Sequence, residues 1–193
     1  VKNKSKLIFI SSYLYGNTKK IPTDERGTLK TLNPYALSKK MCEDMCNFYN
    51  KNYGLDVIII RPFNIYGPGQ NDKWLIPNII NQAKNSNQIV LNSVKQKRDY
   101  VYIDDFSDLI YTLIVKNIIK GTYNLGTGKS YSIKKVINII QKLNNTKKPI
   151  ISRNIYRKND VVETKADVSK LIRDLGWKPK WTLTRGLEEV LKK

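Results

Sequence analysis

Phe9-Ile10-Ser11-Ser12-Tyr13-Leu14-Tyr15-Gly16, followed by Asn33-Pro34-Tyr35-Ala36-Leu37-Ser38-Lys39, is the stretch from which the architecture is read. The apolar run Leu7–Ser11 reads as a strand, and Ser12–Asn33 as a loop. Pro34 opens a helix, since its missing N–H is no loss in a first turn. That helix runs to about Tyr53, where Gly54 supplies a C-terminal stop. Val57–Arg61 then reads as a second strand. It is continuously apolar, as a parallel strand buried on both faces should be. Tyr35 and Lys39 are spaced i,i+4, so they share one helix face. A free tyrosine, with a pKa of about 10, is a poor base at neutral pH. A lysine ammonium held beside a phenol favours the phenolate. The chain has no histidine, which makes a tyrosine acid/base more plausible. Ser11, at the strand end, is placed to hydrogen-bond the same substrate oxygen.

Outward from this unit the pattern stays α/β. Trp74–Asn85 reads as a helix around Pro77. Ile89–Leu91 and Tyr100–Ile103 read as short strands. Asp104 or Asp105 is expected to cap a helix reaching Val115. Tyr123–Leu125 reads as a strand, and Ser132 as the cap of a helix over Ile133–Leu143. Ile150–Ile155 reads as a strand, with helices over Asp167–Leu175 and Thr184–Leu191. At 193 residues the chain is long enough for one substantial core or slightly more. No apolar run of 18 residues occurs, so no membrane span is expected. No signal peptide is visible. Cys42 and Cys46, neighbours on one helix turn, are poorly placed for a disulfide. Two thiols without histidine make no metal site, and a reducing cytoplasm is the expected compartment.

The formal charge of +19 raises nucleic-acid binding as a function class. Lysines outnumber arginines about four to one and are scattered along every segment. That is a drift in composition rather than a groove, and no helix-turn-helix, zinc-finger or RNA-recognition signature is present. Specific nucleic-acid binding is therefore not expected. A positive field that draws in anionic ligands is.

Five landmarks in order resemble the extended short-chain dehydrogenase/reductase family, the NAD(P)-dependent nucleotide-sugar epimerases, dehydratases and reductases. They are Lys6–Lys39; Arg61-Pro62-Phe63-Asn64-Ile65-Tyr66-Gly67-Pro68-Gly69-Gln70; Lys97-Arg98-Asp99-Tyr100-Val101-Tyr102-Ile103-Asp104-Asp105; Tyr123-Asn124-Leu125-Gly126-Thr127-Gly128; and Arg157-Lys158-Asn159-Asp160 with Leu175-Gly176-Trp177-Lys178-Pro179. The resemblance implies the second half of a Rossmann-type parallel sheet, carrying the Ser/Tyr/Lys site over residues 1–66. A smaller C-terminal substrate-binding lobe would span 67–193, with about 99–125 returning to the sheet. It also implies roles. Ser11, Tyr35 and Lys39 would be catalytic. Tyr35, Lys39 and Pro62 would border NAD or NADP. Asn64, Leu75, Arg98, Tyr100, Arg157 and Asp160 would bind a nucleotide-diphosphate sugar, with the two arginines clamping the diphosphate.

Departures from the family pattern sharpen these expectations. No G-x-x-G-x-x-G turn for a dinucleotide pyrophosphate occurs, so the chain is expected to correspond to the C-terminal two thirds of a family member. The family's 4,6-dehydratases carry an Asp-Glu pair after the catalytic Ser/Thr. Here those positions are Ser12 and Tyr13, so elimination is not expected. Hydride transfer at sugar C4 remains, as a 4-epimerase or alternatively a 4-ketoreductase. Nucleotide-sugar acid decarboxylation shares the scaffold, and a fragment that only binds a nucleotide sugar is a further alternative. Family dimers form through the Tyr35 helix and the preceding one, so the expected partner is a second copy or a missing N-terminal half.

Overall fold

The computed structural model describes residues 5–116, 120–156 and 158–192. At its centre is a parallel sheet in the order β1-β2-β7, from strands Lys6–Ile10 (β1), Asp56–Pro62 (β2) and Gly121–Leu125 (β7). The register sets Ile8 beside Ile58 and Ile60 beside Tyr123. The middle strand is buried from Val57 to Pro62, which is why its sequence is unbroken by polar alternation. Helix α1 (Pro34–Tyr53) covers one face, with Cys46 packed near Val57 and Ile59. Helices α3 (Ile103–Val115) and α5 (Ser169–Leu175) cover the other, with Leu109, Leu113, Leu171 and Trp177 packed on Ile58, Ile60 and Tyr123.

Three two-stranded pairs surround this sheet. Asn64–Tyr66 (β3) runs parallel to Tyr100–Tyr102 (β6), and Ile89–Leu91 (β4) parallel to Ile150–Ser152 (β9). Lys97–Arg98 (β5) runs antiparallel to Tyr131–Ser132 (β8). A second core lies among α2 (Leu75–Asn85), α4 (Ile133–Leu143) and α6 (Leu183–Leu191). Ile79, Ile89, Val136, Ile137, Ile140 and Leu187 are fully buried there. Among the described residues no helix is long and apolar enough to cross a membrane.

The start of α1 is held by Asn33, whose side-chain oxygen accepts from the Ala36 N–H at 2.8 Å. It ends on Gly54 at φ 67°, a left-handed position that glycine takes without strain. Ser132 caps α4 by accepting from the Lys135 N–H. Several boundaries differ from expectation, most of them by one or two residues, and three have a visible cause. Neither Asp104 nor Asp105 caps α3, which starts one residue earlier with Tyr102 at the cap position. The buried Asp105 carboxylate instead accepts from the Lys180 and Trp181 N–H groups. Strand β9 stops at Ser152 and not Ile155, because Asn154 turns the chain at φ 54°. Helix α5 begins at Ser169 and not Asp167, whose carboxylate accepts from the Ser169 N–H.

Candidate active site

Tyr35 and Lys39 occupy the first turns of α1, beside the C-terminal end of β1. Tyr35 is 57% exposed, while Lys39 is partly buried. The Lys39 ammonium donates to the Ile10 carbonyl at 2.8 Å. It also lies 5.9 Å from the centroid of the Tyr35 ring and 5.2 Å from that of Phe9. One of its three protons is thus anchored on the last residue of β1, and two remain for a ligand.

Ser11 follows directly after β1 and is turned towards α1. It is 3% exposed, and its hydroxyl donates to Glu43 Oε1 at 2.5 Å. Glu43 is held in turn by the Arg61 guanidinium, with Nε on Oε1 at 2.9 Å and Nη2 on Oε2 at 2.6 Å. Arg61 also donates from Nη1 to Tyr15 Oη and to the Glu25 carbonyl, at 2.8 and 3.1 Å. Tyr15 Oη passes its own proton to Asn124 Oδ1 at 2.7 Å. Every member of this buried network is paired, as buried polar groups must be. Glu43 and its pairing with Arg61 were not singled out from the sequence. The available signal was the spacing, since Glu43 extends the Tyr35–Lys39 face by another four residues.

The residues expected to bind a nucleotide sugar sort into three groups. Arg98 and Asp160 are brought together, with Arg98 Nη2 3.4 Å from Asp160 Oδ1. Gln96 Nε2 donates to the other Asp160 oxygen at 2.7 Å. Arg98 and Asp160 are both partly exposed, so a paired but accessible charge faces outward here. Leu75 is the first residue of α2, partly buried against the second core, at a helix start whose N–H groups lack intrahelical partners. Asn64 and Tyr100 are turned inward. Both available contacts of Asn64 Nδ2 are internal, to the Asp99 carbonyl at 3.1 Å and Thr164 Oγ1 at 3.2 Å. Both Asn64 amide protons are thus used within the protein, and its side-chain oxygen is the atom left for a ligand. Tyr100 is 5% exposed, with its ring edge-on to Tyr66 in the second core. Its hydroxyl has no hydrogen-bond partner among the described residues, and burial pushes its pKa up. Pro62 closes β2 and is buried. Arg157 lies outside the described residues.

Tyr13 packs in a small aromatic cluster beside Tyr15 and Phe63. Its ring meets Tyr15 and Phe63 edge-on, at centroid distances of 5.4 and 4.9 Å. Its hydroxyl donates to the Gly16 carbonyl at 2.5 Å. Burial, countered by the charge of Arg98, pushes the Tyr13 phenol up to about 12. Behind it, the buried Asp99 carboxylate accepts from the N–H groups of Thr127, Gly128 and Ala166 and from the Thr127 hydroxyl. A side chain at Gly126 would run into Ala166 and Asp99, so the chain passes between these two residues only as glycine.

Residues 1–190 match the family model described as GDP-mannose 4,6 dehydratase. The chain is 32% identical to a GDP-6-deoxy-D-talose 4-dehydrogenase of Aggregatibacter actinomycetemcomitans, over 96% of this chain and 64% of that protein. It is also 32% identical to a dTDP-4-dehydro-6-deoxyglucose reductase of Escherichia coli, over 97% of this chain and 60% of that protein. Among solved structures it is similar to UDP-glucuronic acid 4-epimerase of Bacillus cereus in complex with UDP-glucuronic acid and NAD. That similarity has a TM-score of 0.88 and 28% identity, over 97% of this chain and 60% of the other. The chain thus spans less than two thirds of the length of these relatives.

Proposed function

Because this chain belongs to the extended short-chain dehydrogenase/reductase family, among its NAD(P)-dependent nucleotide-sugar enzymes, we propose that it carries the acid–base site of a nucleotide-sugar 4-epimerase. The observation that supports this reading is the Lys39 ammonium. It is anchored on the Ile10 carbonyl and leans over an exposed Tyr35. In this reading Tyr35 takes the proton from the sugar C4 hydroxyl and later returns it. Lys39 holds positive charge beside the phenol, with two N–H donors left for ribose hydroxyls. The residues fit the nicotinamide end of NAD(P), and the cofactor when bound accepts and returns the hydride. Arg98 offers its guanidinium to the diphosphate, with Asp160 orienting it. Leu75 offers its N–H from the start of α2.

Elimination is disfavoured by what occupies the acid positions. Tyr13, held protonated to about pH 12 with its hydroxyl on Gly16, offers no carboxyl group. A 4-ketoreductase is the second reading, favoured by the dehydrogenase and reductase named among the relatives. Replacing Tyr35 with Phe tests both. Turnover should fall about 10²- to 10⁴-fold, the usual contribution of a positioned acid/base. Binding of UDP, dTDP or GDP, read by calorimetry, should stay within a few-fold. Near-normal turnover in Tyr35→Phe would remove Tyr35 from the chemistry. Interconversion of two C4 epimers without net NADH release identifies the epimerase, and stoichiometric consumption of NADPH the reductase.

A further inference from the structure

We infer that Asn17 is a positioning residue for the diphosphate end of the site: its side chain clips the segment that carries Asp160 onto the loop between β1 and α1. This rests on the nucleotide-sugar reading above. Between Ser152, where β9 ends, and Ser169, where α5 begins, the described residues form no helix and no strand longer than a single bridge. The position of Asp160 is therefore set by contacts with other segments. Three clips hold residues 160–167. Each takes a carbonyl and the N–H two residues further on, as one residue of a parallel neighbour does. Lys97 donates to the Val162 carbonyl at 2.9 Å and accepts from the Thr164 N–H at 3.0 Å. Thr23 donates to the Lys165 carbonyl at 2.8 Å and accepts from the Asp167 N–H at 2.9 Å. The third clip is a side chain. Asn17 Nδ2 donates to the Asp160 carbonyl at 2.9 Å, and Asn17 Oδ1 accepts from the Val162 N–H at 2.8 Å.

An asparagine side chain ends in an amide, so it presents an acceptor and a donor side by side, as a backbone peptide does. Asn17 is itself held. Its own carbonyl accepts from Lys30 Nζ at 2.7 Å. Gly16 before it, at φ 61°, accepts on its carbonyl from the Tyr13 hydroxyl. The loop containing Asn17 joins Ser11 to Tyr35, so the clip ties Asp160 to the connection between two parts of the acid–base site. The Asp160 carboxylate has other partners. It accepts from Gln96 Nε2 at 2.7 Å and lies 3.4 Å from Arg98 Nη2, a long contact for a charged pair. A diphosphate on Arg98 competes for that guanidinium. The Asn17 clip acts on the backbone, and so keeps Asp160 in place while its carboxylate exchanges partners.

The test measures binding of UDP, dTDP and GDP to the 193-residue chain by calorimetry and proceeds with the tightest. Asn17→Ala should raise its Kd about 5- to 30-fold, the worth of one or two hydrogen bonds. Asn17→Ala combined with Asp160→Ala should bind little worse than Asp160→Ala alone, because the clip acts through Asp160. Amide exchange read by NMR gives the local signature. The Val162 N–H should be protected in the wild-type chain and exchange at least about tenfold faster in Asn17→Ala. Thr164 and Asp167, on backbone clips, should change little. A Kd within about twofold of wild type in Asn17→Ala, or a loss that adds in full to that of Asp160→Ala, would overturn the inference. If Asn17→Ala fails to fold, Asn17→Asp keeps the shape and the Val162 bond but sets an oxygen against the Asp160 carbonyl, with the same expected rise in Kd. A wild-type chain that binds none of the three nucleotides counts against the nucleotide-sugar reading for this chain. The clip is then decided by exchange alone. Val162 protection that is lost in Asn17→Ala supports it, and exchange in the wild-type chain as fast as in an unstructured peptide overturns it.

Discussion

Lys39 shows how much one side chain's surroundings add to its type. The chain carries many lysines, and the i,i+4 spacing alone marks Lys39 only as a neighbour of Tyr35. Its anchoring on Ile10 makes it a fixed charge. Ser11 shows the limit of spacing in another way: its type and place are legible, and its contact with Glu43 is not. Ser11 is adjacent to Ser12, and no rule of spacing says which hydroxyl faces the protein. That depends on Glu43 and Arg61, 32 and 50 residues further on. The same kind of local chemistry governs Asp24. Hydrogen bonds from Arg26 and Lys20, at 2.8 and 2.6 Å, hold its carboxyl down to about 2 from an ordinary 3.8. A depressed carboxyl stabilises the fold above its unfolded pKa. The Asp24 contribution should therefore be complete above about pH 4 and fade as the pH falls towards 2. Carboxyl ¹³C NMR should show the Asp24 midpoint near 2, and Arg26→Ala should move it upward. An Asp24 midpoint near 4 would show the two cations to be unengaged in solution.

At the scale of elements, caps and breakers account for what could be read and what could not. Pro34, Gly54 and Ser132 act within a few residues of themselves, and α1 and α4 have the ends that those residues imply. Asp105 has the look of a cap and serves another element. Its donors are the N–H groups of Lys180 and Trp181, 75 and 76 residues away. Removing it in Asp105→Ala should leave two N–H groups unpaired and lower stability by about 1–3 kcal/mol, measured by urea unfolding. Asn33→Ala removes only a cap and should cost about 1 kcal/mol in the same assay. If the two losses were equal and small, Asp105 would not be tying the C-terminal segment to α3. Ile137→Ala, in the core shared by α2, α4 and α6, should cost about 2–5 kcal/mol.

At the scale of the whole molecule, charge and topology separate. The +19 charge belongs to the chain as a whole, and a diffuse positive field attracts any polyanion. Binding of single-stranded DNA should therefore be weak, indifferent to sequence, and reduced at least about tenfold between 50 and 200 mM salt, as counterion release dictates. Salt-resistant, sequence-selective binding, read by fluorescence anisotropy, would instead mean a built nucleic-acid site. In the reading proposed above, nucleotide-sugar binding through the Arg98 guanidinium, partly screened from solvent beside Asp160, should depend less on salt. The sequence by itself determined the α/β class, the parallel strand β2, the ends of α1 and α4, and the juxtaposition of Tyr35 with Lys39. All of these are set by contacts within a few residues, or by a strand buried on both faces, and so leave a local pattern. Tertiary structure alone decided that Ser11 faces Glu43, that Asn64 turns its amide inward, that Asp105 ties down the C-terminal segment, and that Arg98 meets Asp160. Each of those depends on which distant donor or acceptor reaches a side chain first, and a hydrogen bond between residues 32 to 100 positions apart leaves no period in the sequence.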